Sequence, residues 1–517
     1  MHPKRNHSHV KFQDMRRSKL LSGFVLCVWF AGCAVGPNYR TPDLNLPDSF
    51  LAAMKADASK SSVDAARWWQ SLNDPVLNSL VDRAIQGNPD LEIALTRLQK
   101  ARVQEAVVMG ESLPEMGISA AAARGTGTNI TTSRAAGPLL SGANTSTQKH
   151  ITQILGFDAG VEIDLFGKYQ REIEAAKYDR EAAAAVRNDV LISVVANVTR
   201  AYVDMRGLQM QLAVLRENIE TTSQYNDVVR QRFELGITNE LDLTLTQRQL
   251  STLKADVAPL SARIAAAQYV IAVLLGQFPE VLARELDKPA LIPQLPDQIQ
   301  PGLPLDLLRR RPDIHEAERL LAGATARVGI ATANLFPRLS LTGGVGIQGQ
   351  GLGLTPLTSS FIWGVGPSVS WSLLDFGTLD ALVDLADLQT HELLVNYKRT
   401  VMNAVQEVDT AVTAYLAQQD RLRDLGNALI ASHRAVSLAT QRYDRGLTDS
   451  LNVIDSQRQE YELQEQYVAA QQTAAEQFIT LYKALGGGWE QYQTIPSVHQ
   501  PQPAIIAAFQ RLLTAKN

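Results

Sequence analysis

"QRFELGITNELDLTLTQRQ" fills Gln231 to Gln249, and "QRYDRGLTDSLNVIDSQRQ" fills Gln441 to Gln459. Both carry a Gly at the sixth position (Gly236, Gly446) and close on Gln-Arg-Gln, at an offset of 446 − 236 = 210 residues. Similarity at a fixed offset is the mark of an internal duplication. Upstream of each stretch, from Lys168 to Leu235 and from Thr378 to Arg445, the chain has no Pro and many Ala, Glu, Gln and Arg. Each of these segments predicts a helix of roughly 68 residues, about 100 Å long at 1.5 Å per residue. The quoted stretches then read as helix stops at Gly236 and Gly446, short turns through "ITNE" and "LTDS", and restarts towards "LLGQFP" and "ALGGGW". They are the tips of two long helical hairpins.

A helix that long needs partners along its length. Val401, Val408, Tyr415, Leu422, Leu429, Val436 and Tyr443 recur every seven residues, and subtracting 210 gives Leu191, Val198, Met205, Leu212, Ile219, Asn226 and Phe233. The sustained heptad predicts coiled-coil-like packing with one polar exception. The companion stripe (Val405, Val412, then Gln419, Gly426, His433) is only partly apolar, which excludes a simple two-stranded zipper.

Each module opens with a Pro-Asp helix start, "NPDLEIALTRLQKARVQEA" at Asn88 and "RPDIHEAERLLAGATARVGIA" at Arg311, and breaks at Leu113-Pro114 and Phe336-Pro337. Beyond each break lies alternation that predicts a β-hairpin: "GISAAAARGTG" with "QILGFDAGVEIDLFG", and "RLSLTGGVGIQG" with "FIWGVGPSVSWSLLDFG". The offset is 337 − 114 = 223 before the hairpins and 376 − 166 = 210 after them, so the first hairpin loop is thirteen residues longer. The strand segments lack an 18-residue apolar helix signal. Only helices and closed barrels satisfy the backbone within a bilayer, and the smallest membrane barrels have about eight strands, so four strands require several chains to share one barrel. A soluble four-stranded cap on a coiled coil is the other reading of the same alternation.

The N-terminus has Lys4, Arg5, Lys11, Arg16, Arg17 and Lys19 ahead of the apolar run "LLSGFVLCVWF", the pattern of a secretory signal. It ends in "FAGC", which resembles a bacterial lipobox with Phe30 where Leu is usual, and Cys33 is then the acylated first residue of the mature chain. Cys27, inside the run, reads as an ordinary apolar cysteine. Ala34 at the following position, in place of Asp, is similar to the signal for delivery to the outer membrane. The chain therefore divides into a signal (1–32), an extended arm (33–75), a first repeat (76–280), a Pro-rich link (281–310), a second repeat (311–487) and a C-terminal segment (488–517).

No catalytic or cofactor chemistry is legible. A net charge of −4 with scattered Lys and Arg argues against nucleic acid. "GVGIQG" at Gly344 is literally G-x-G-x-x-G, but no helix N-terminus follows to receive a pyrophosphate, so it predicts a hairpin turn. His315, His391 and His433 stand singly in helical segments and give no metal spacing. The chain reads as no enzyme, with no cofactor and no metal.

"CAVGPNYRTP" at Cys33, "LLRRRPDI" at Leu307, "LFPRLSLTGGVG" at Leu335, "LLDFG" at Leu373 and the paired tips together resemble the outer-membrane efflux lipoproteins of the TolC-like superfamily, in the NodT-type branch that serves resistance-nodulation-division pumps. The resemblance spans essentially the whole mature chain. It implies a mainly α fold with a β-barrel contribution: a homotrimer sharing a twelve-stranded barrel in outer-membrane lipid and a twelve-helix α-barrel crossing the periplasm, with an equatorial domain from the link and the C-terminal segment. It implies that Leu451 and Asp455, four residues apart on one helix face, ring the periplasmic aperture as an apolar plug and a set of carboxylates. Arg442, Tyr443 and Asp449 then flank a closed gate, and the tips around Gly236, Thr238, Gly446 and Thr448 meet a periplasmic adaptor. The function implied is a passive exit duct of a tripartite efflux system. A periplasmic adaptor or scaffold lipoprotein, and the export duct of a type I secretion system, are the alternatives.

Overall fold

The computed structural model describes residues 34–44, 47, 50, 51, 64–125, 150–296, 304–351 and 358–492. Cys33, the signal and the thirteen-residue insertion in the first hairpin loop lie outside them.

Two modules follow one another. In the first, α1 (Pro75–Gly87) and α2 (Pro89–Glu111) lead to β1 (Glu115–Gly125) and β2 (His150–Ile163), then to α3 (Lys168–Glu234), α4 (Glu240–Ala255) and α5 (Val257–Leu274). A link with α6 (Pro279–Leu286) and α7 (Pro304–Arg310) reaches the second module: α8 (Pro312–Ala333), β3 (Arg338–Gly351), β4 (Thr358–Ser370), α9 (Thr378–Asp444) and α10 (Ser450–Ala484). The long helices α3 and α9 each have 67 residues, as the Pro-free segments predict.

The duplication is written into the backbone. Three pairs of glycines have left-handed φ: Gly167 and Gly377 (76°, 83°), Gly236 and Gly446 (both 70°), Gly276 and Gly486 (66°, 72°). The differences 377 − 167, 446 − 236 and 486 − 276 are all 210. The first pair starts the long helices; the other two end helices in Schellman motifs, with Ile237 N–H on the Arg232 carbonyl (2.8 Å) and Leu447 N–H on that of Arg442 (2.9 Å). Each module also closes on itself in the same way. Asn88 Nδ2 donates to the carbonyl of Leu274 (2.7 Å), and Arg311 Nη1, 311 − 88 = 223 residues on, donates to that of Ala484 (2.9 Å).

The heptad stripe is buried over the middle of both helices: Leu191, Val198, Met205 and Leu212 on α3, and Val401, Val408 and Tyr415 on α9. Asn226, the polar exception, is buried and accepts a hydrogen bond from Thr246 Oγ1 at 3.0 Å, while Phe233 is exposed and its match Tyr443 is buried, so the stripe leaves the interface before the tip on α3 but not on α9. The link straps these helix middles. Gln209 Nε2 and Arg206 Nη1 donate to the carbonyls of Leu286 (2.9 Å) and Lys288 (2.8 Å), and Tyr415 Oη reaches that of Pro296 at 3.4 Å.

The arm is extended over 34–44, but its end is core. Residues Ala65–Leu72 form a 3-10 helix whose Trp68 and Trp69 are buried, Trp68 stacking on Tyr482 at 5.9 Å. The arm's Pro, Asn and Asp content reads as extended chain and hides this short aromatic anchor, whose apolar area outweighs it. Near its start, the buried Arg171 holds the arm by donating to the carbonyls of Val35 (3.2 Å) and Gly36 (3.3 Å) and to Asn38 Oδ1 (2.8 Å).

The strands form one antiparallel sheet in the order β1-β2-β3-β4, so the two predicted hairpins are joined by a third pairing, β2 with β3. "GVGIQG" is not the hairpin turn that its glycines predict. Gly344 to Gly349 lie inside β3 and pair on both sides, because glycine lets the backbones approach: a Cβ at Gly346 would stand 2.7 Å from the Leu155 carbonyl oxygen. One face of the sheet is apolar and exposed (Met116, Ile118, Leu155, Phe157, Val345, Ile347, Phe361, Trp363, Val365, Val369); the other is mostly small or polar (Ser119, Asp158, Ser340, Thr342, Gln348, Ser368), with Ile154 and Ile362 among them. That alternation is what a membrane barrel wall requires, lipid outside and water inside.

Candidate functional site at the hairpin tips

All four long-hairpin helices meet near the tips. Tyr225 and Val229 of α3, Tyr443 of α9 and Val453 and Ile454 of α10 form a buried cluster, with Leu243 and Leu245 of α4 and Ala439 of α9 packed against it. The Tyr225 and Tyr443 rings meet edge to face at 5.6 Å. Burial, and then the neighbouring Tyr443, holds the Tyr225 hydroxyl protonated well above the usual tyrosine range.

Polar contacts tie the first hairpin to the second across this cluster. The Arg232 guanidinium lies over the Tyr443 ring, 4.4 Å from its centroid, donates to the Tyr443 carbonyl at 3.3 Å, and stands 3.6 Å from Asp444. Asp242 accepts from Ser450 Oγ at 2.6 Å and, with its other oxygen, from Thr238 Oγ1. A cation over an aromatic face and a carboxylate with two hydroxyl donors are each worth about 1 kcal/mol at such a partly exposed site. Sequence reasoning selected Tyr443 but missed Arg232, Asp242 and Ser450. The signal was available: Arg232 matches Arg442 and Asp242 matches Asn452 in the repeats, so Asp242 is the one acidic side chain that the second tip lacks at that place.

The predicted gate residues separate into two groups. Tyr443 is buried in the cluster, whereas Arg442, Asp449 and Leu451 are exposed. Asp449 caps α10 with extended backbone, and its side chain makes no capping bond. Asp455 is half-exposed and pairs with Arg458 Nη2 at 2.8 Å, also accepting from Gln459 Nε2 at 2.7 Å. Arg458 reaches Glu462 with its other nitrogen at 3.0 Å. The first tip has Leu245 in place of Asp455, and it packs into the cluster. Leu241 and Leu451 match each other, and both are exposed.

At the turn itself, the space around Gly236 and Gly446 is open, so the left-handed backbone alone demands glycine. Thr238 and Thr448 are bonded by the residue four positions on, Asp242 and Asn452. Leu235, Ile237 and Leu447 surround the turns with their apolar side chains in solvent.

Among the described residues no group of His, Cys, Asp and Glu is arranged to hold a metal ion; His433 instead faces Glu460 at 2.9 Å. Compared with known proteins, residues 80–277 and 303–487 match the family described as outer membrane efflux protein. The chain belongs to this family. Within it, the chain is 29% identical over 469 residues to Nodulation protein T of Rhizobium leguminosarum bv. trifolii, covering 89% of this chain and 95% of that one. It is 28% identical over 474 residues to the toluene efflux pump outer membrane protein TtgC of Pseudomonas putida, covering 91% and 96%. The solved outer-membrane channel OprN is similar over 89% of this chain and 100% of its own, with a TM-score of 0.80 and 33% identity. The efflux family has its two matched segments on the two modules, broken at the link.

Proposed function

We propose that the protein is the outer-membrane channel of a tripartite efflux system, a passive exit duct for small toxic compounds across periplasm and outer membrane. The observation that carries this reading is the sheet: four strands, apolar on one face and polar on the other, joined to helices about 100 Å long. Four strands wall only part of a pore, and three chains supply twelve. The same three copies bring six helical hairpins into one α-barrel, and the link forms a belt at their middles. An adaptor would have to be built on a single hairpin; this chain has two, each with its own strand pair.

Cys33 is the lipid anchor in this reading. It is supported by Arg171, which fixes the arm from Val35 onward beside the start of α3, where strands give way to helices. The tips form the gate: Leu451 as plug, Asp455 as carboxylate ring, and Arg442, Tyr443 and Asp449 around the turn. The exposed apolar side chains beside Gly236, Thr238, Gly446 and Thr448 are the surface offered to the periplasmic adaptor, which connects the duct to a resistance-nodulation-division pump. Membrane fractionation with native mass measurement tests this: the chain is expected in outer-membrane fractions as a trimer. A soluble periplasmic monomer overturns it and returns the scaffold reading.

A further inference from the structure

Resting on that reading, we infer that Asp204, Gln472 and Glu476 form a proton-operated lock between the two hairpins of one chain, fastened while the two carboxyls share a proton and loosened once both are ionised. Asp204 lies on α3 and the other two on α10, so the group bridges the seam along which one hairpin leaves the other if the tips are to part. One nitrogen serves both acids: Gln472 Nε2 donates to Asp204 Oδ1 at 3.1 Å and to Glu476 Oε1 at 3.0 Å. The two carboxyls are also within hydrogen-bonding reach of each other, a contact that needs a proton on one of them, since ionised carboxylates only accept.

The backbone is shaped for this contact. Gly207 is buried in the middle of a 67-residue helix, where glycine weakens the helix, and it admits Gln472: a Cβ there would stand 2.5 Å from Gln472 Oε1. Advancing Asp204 and Gly207 by 210 gives Ala414 and Ala417, and setting Gln472 and Glu476 back by 210 gives Ala262 and Ala266. The duplicated hairpin positions thus manage with alanine, and the acids answer no general need of the helices. Further down the same seam Asn218 Nδ2 donates to Gln464 Oε1 at 2.7 Å, a contact between amides whose charge is zero at any pH.

Asp204 lies about 200° round α3 from Tyr202 and Arg206. Those two face the surrounding belt, Tyr202 Oη donating to Asp74 at 2.6 Å and Arg206 Nη1 to the Lys288 carbonyl at 2.8 Å. The link also places Asp287 against Gln268 of α5 at 3.4 Å, and α9 meets α10 through Gln418 on the Ala470 carbonyl at 2.9 Å. Lys483, two turns beyond Glu476 on α10, acts on Asp189. Arg200, one turn before Asp204, favours its ionised form while donating to Thr480 Oγ1 at 3.1 Å. Against Arg200, burial and then Glu476 push the Asp204 carboxyl up to about 6.

Once the hairpins part, water reaches both acids and they titrate near 4. The locked state therefore binds the proton more tightly. Its advantage is full below about pH 4 and is lost as pH rises through about 6. Between pH 5 and pH 7 the ratio of locked to parted hairpins falls about tenfold. The tips feel this through α3 and α10 themselves, 236 − 204 = 32 residues or about 50 Å away.

Open probability in planar bilayers at pH 5 and pH 7 tests the lock, for the parent, Asp204→Asn and Glu476→Gln. The spacing of nitroxides on Val228→Cys of α3 and Leu438→Cys of α9 is read in the same three backgrounds. Each amide donates to the remaining acid without a titrating proton, so both variants keep the hairpins together at either pH. The expected result is a parent whose open probability rises about tenfold from pH 5 to pH 7 with a longer nitroxide distance, and two variants that stay at the parent's pH 5 values. A parent indifferent to pH, or variants that keep its response, overturns the lock and leaves the channel standing. Absence of conductance steps at both pH values overturns the channel reading, and the nitroxide distances, which need no pore, still decide the lock: a spacing indifferent to pH or to the two substitutions overturns it.

Discussion

In the proposed gate, Asp455 and its partner Arg458 together set the charge. A bare ring of carboxylates would select strongly for cations, but each Asp455 here has Arg458 at 2.8 Å, a partner that an exposed pair holds weakly and that salt screens. Removing each member therefore has opposite effects. Arg458→Ala is expected to raise the cation-to-anion permeability ratio of the channel and Asp455→Asn to lower it, both read from reversal potentials in a salt gradient. Equal shifts in one direction would remove Asp455 from the aperture. At this scale the sequence was half legible. Asp455 could be picked out because the first repeat has Leu245 there, and Leu451 only through the family resemblance, since the first repeat also has a leucine, Leu241. Asp242 stands out in the same way, since its match is Asn452, but its partner Ser450 was not legible, because a contact between residues 208 apart depends on how one hairpin lies against the other.

At the scale of elements, the duplication made the long helices legible with boundaries within a residue, because composition and period persist over many turns, while the four strands were found but less sharply bounded, β4 ending at Ser370 where the quoted segment runs on to Gly377. It did not give the β2–β3 pairing, which depends on the helices beside it, nor the strand character of Gly344 to Gly349, since a run of glycine looks like a turn until two neighbours pair with it. The pairing of α3 with α10 holds another feature hidden from sequence. Asp204 and Glu476 share Gln472, whose Nε2 donates to both at 3.1 and 3.0 Å. Burial first, and the adjacent Glu476 next, push the Asp204 carboxyl up to about 6. The folded protein thus binds this proton more tightly than the unfolded chain, whose carboxyl titrates near 4. Its contribution to stability is full below about pH 4 and is lost as pH rises through about 6. Asp204→Asn is expected to flatten the thermal midpoint between pH 4 and 6 and to raise it at pH 7 relative to the parent; an unchanged pH profile would place the titration elsewhere.

In the proposed reading the whole molecule joins a wall and a gate. The wall comes from repetition, with matched glycines, matched closing contacts at Asn88 and Arg311, and one strand register used twice. The proposed gate lies at the tips, where the repeats part company at Asp242, Tyr443 and Asp455, matched by Asn452, Phe233 and Leu245, while Arg232 and Leu451 keep their counterparts Arg442 and Leu241. The measurement that tests this most directly is planar-bilayer conductance of the purified protein, with its mass taken on the same preparation, for the parent and for Arg232→Ala with Asp242→Ala. Discrete steps from a trimer are the expected result. Loss of two tip contacts worth about 1 kcal/mol each should raise the open probability by about tenfold or more. A trimer without conductance steps, or tip variants that conduct like the parent, would contradict the pairing of wall and gate.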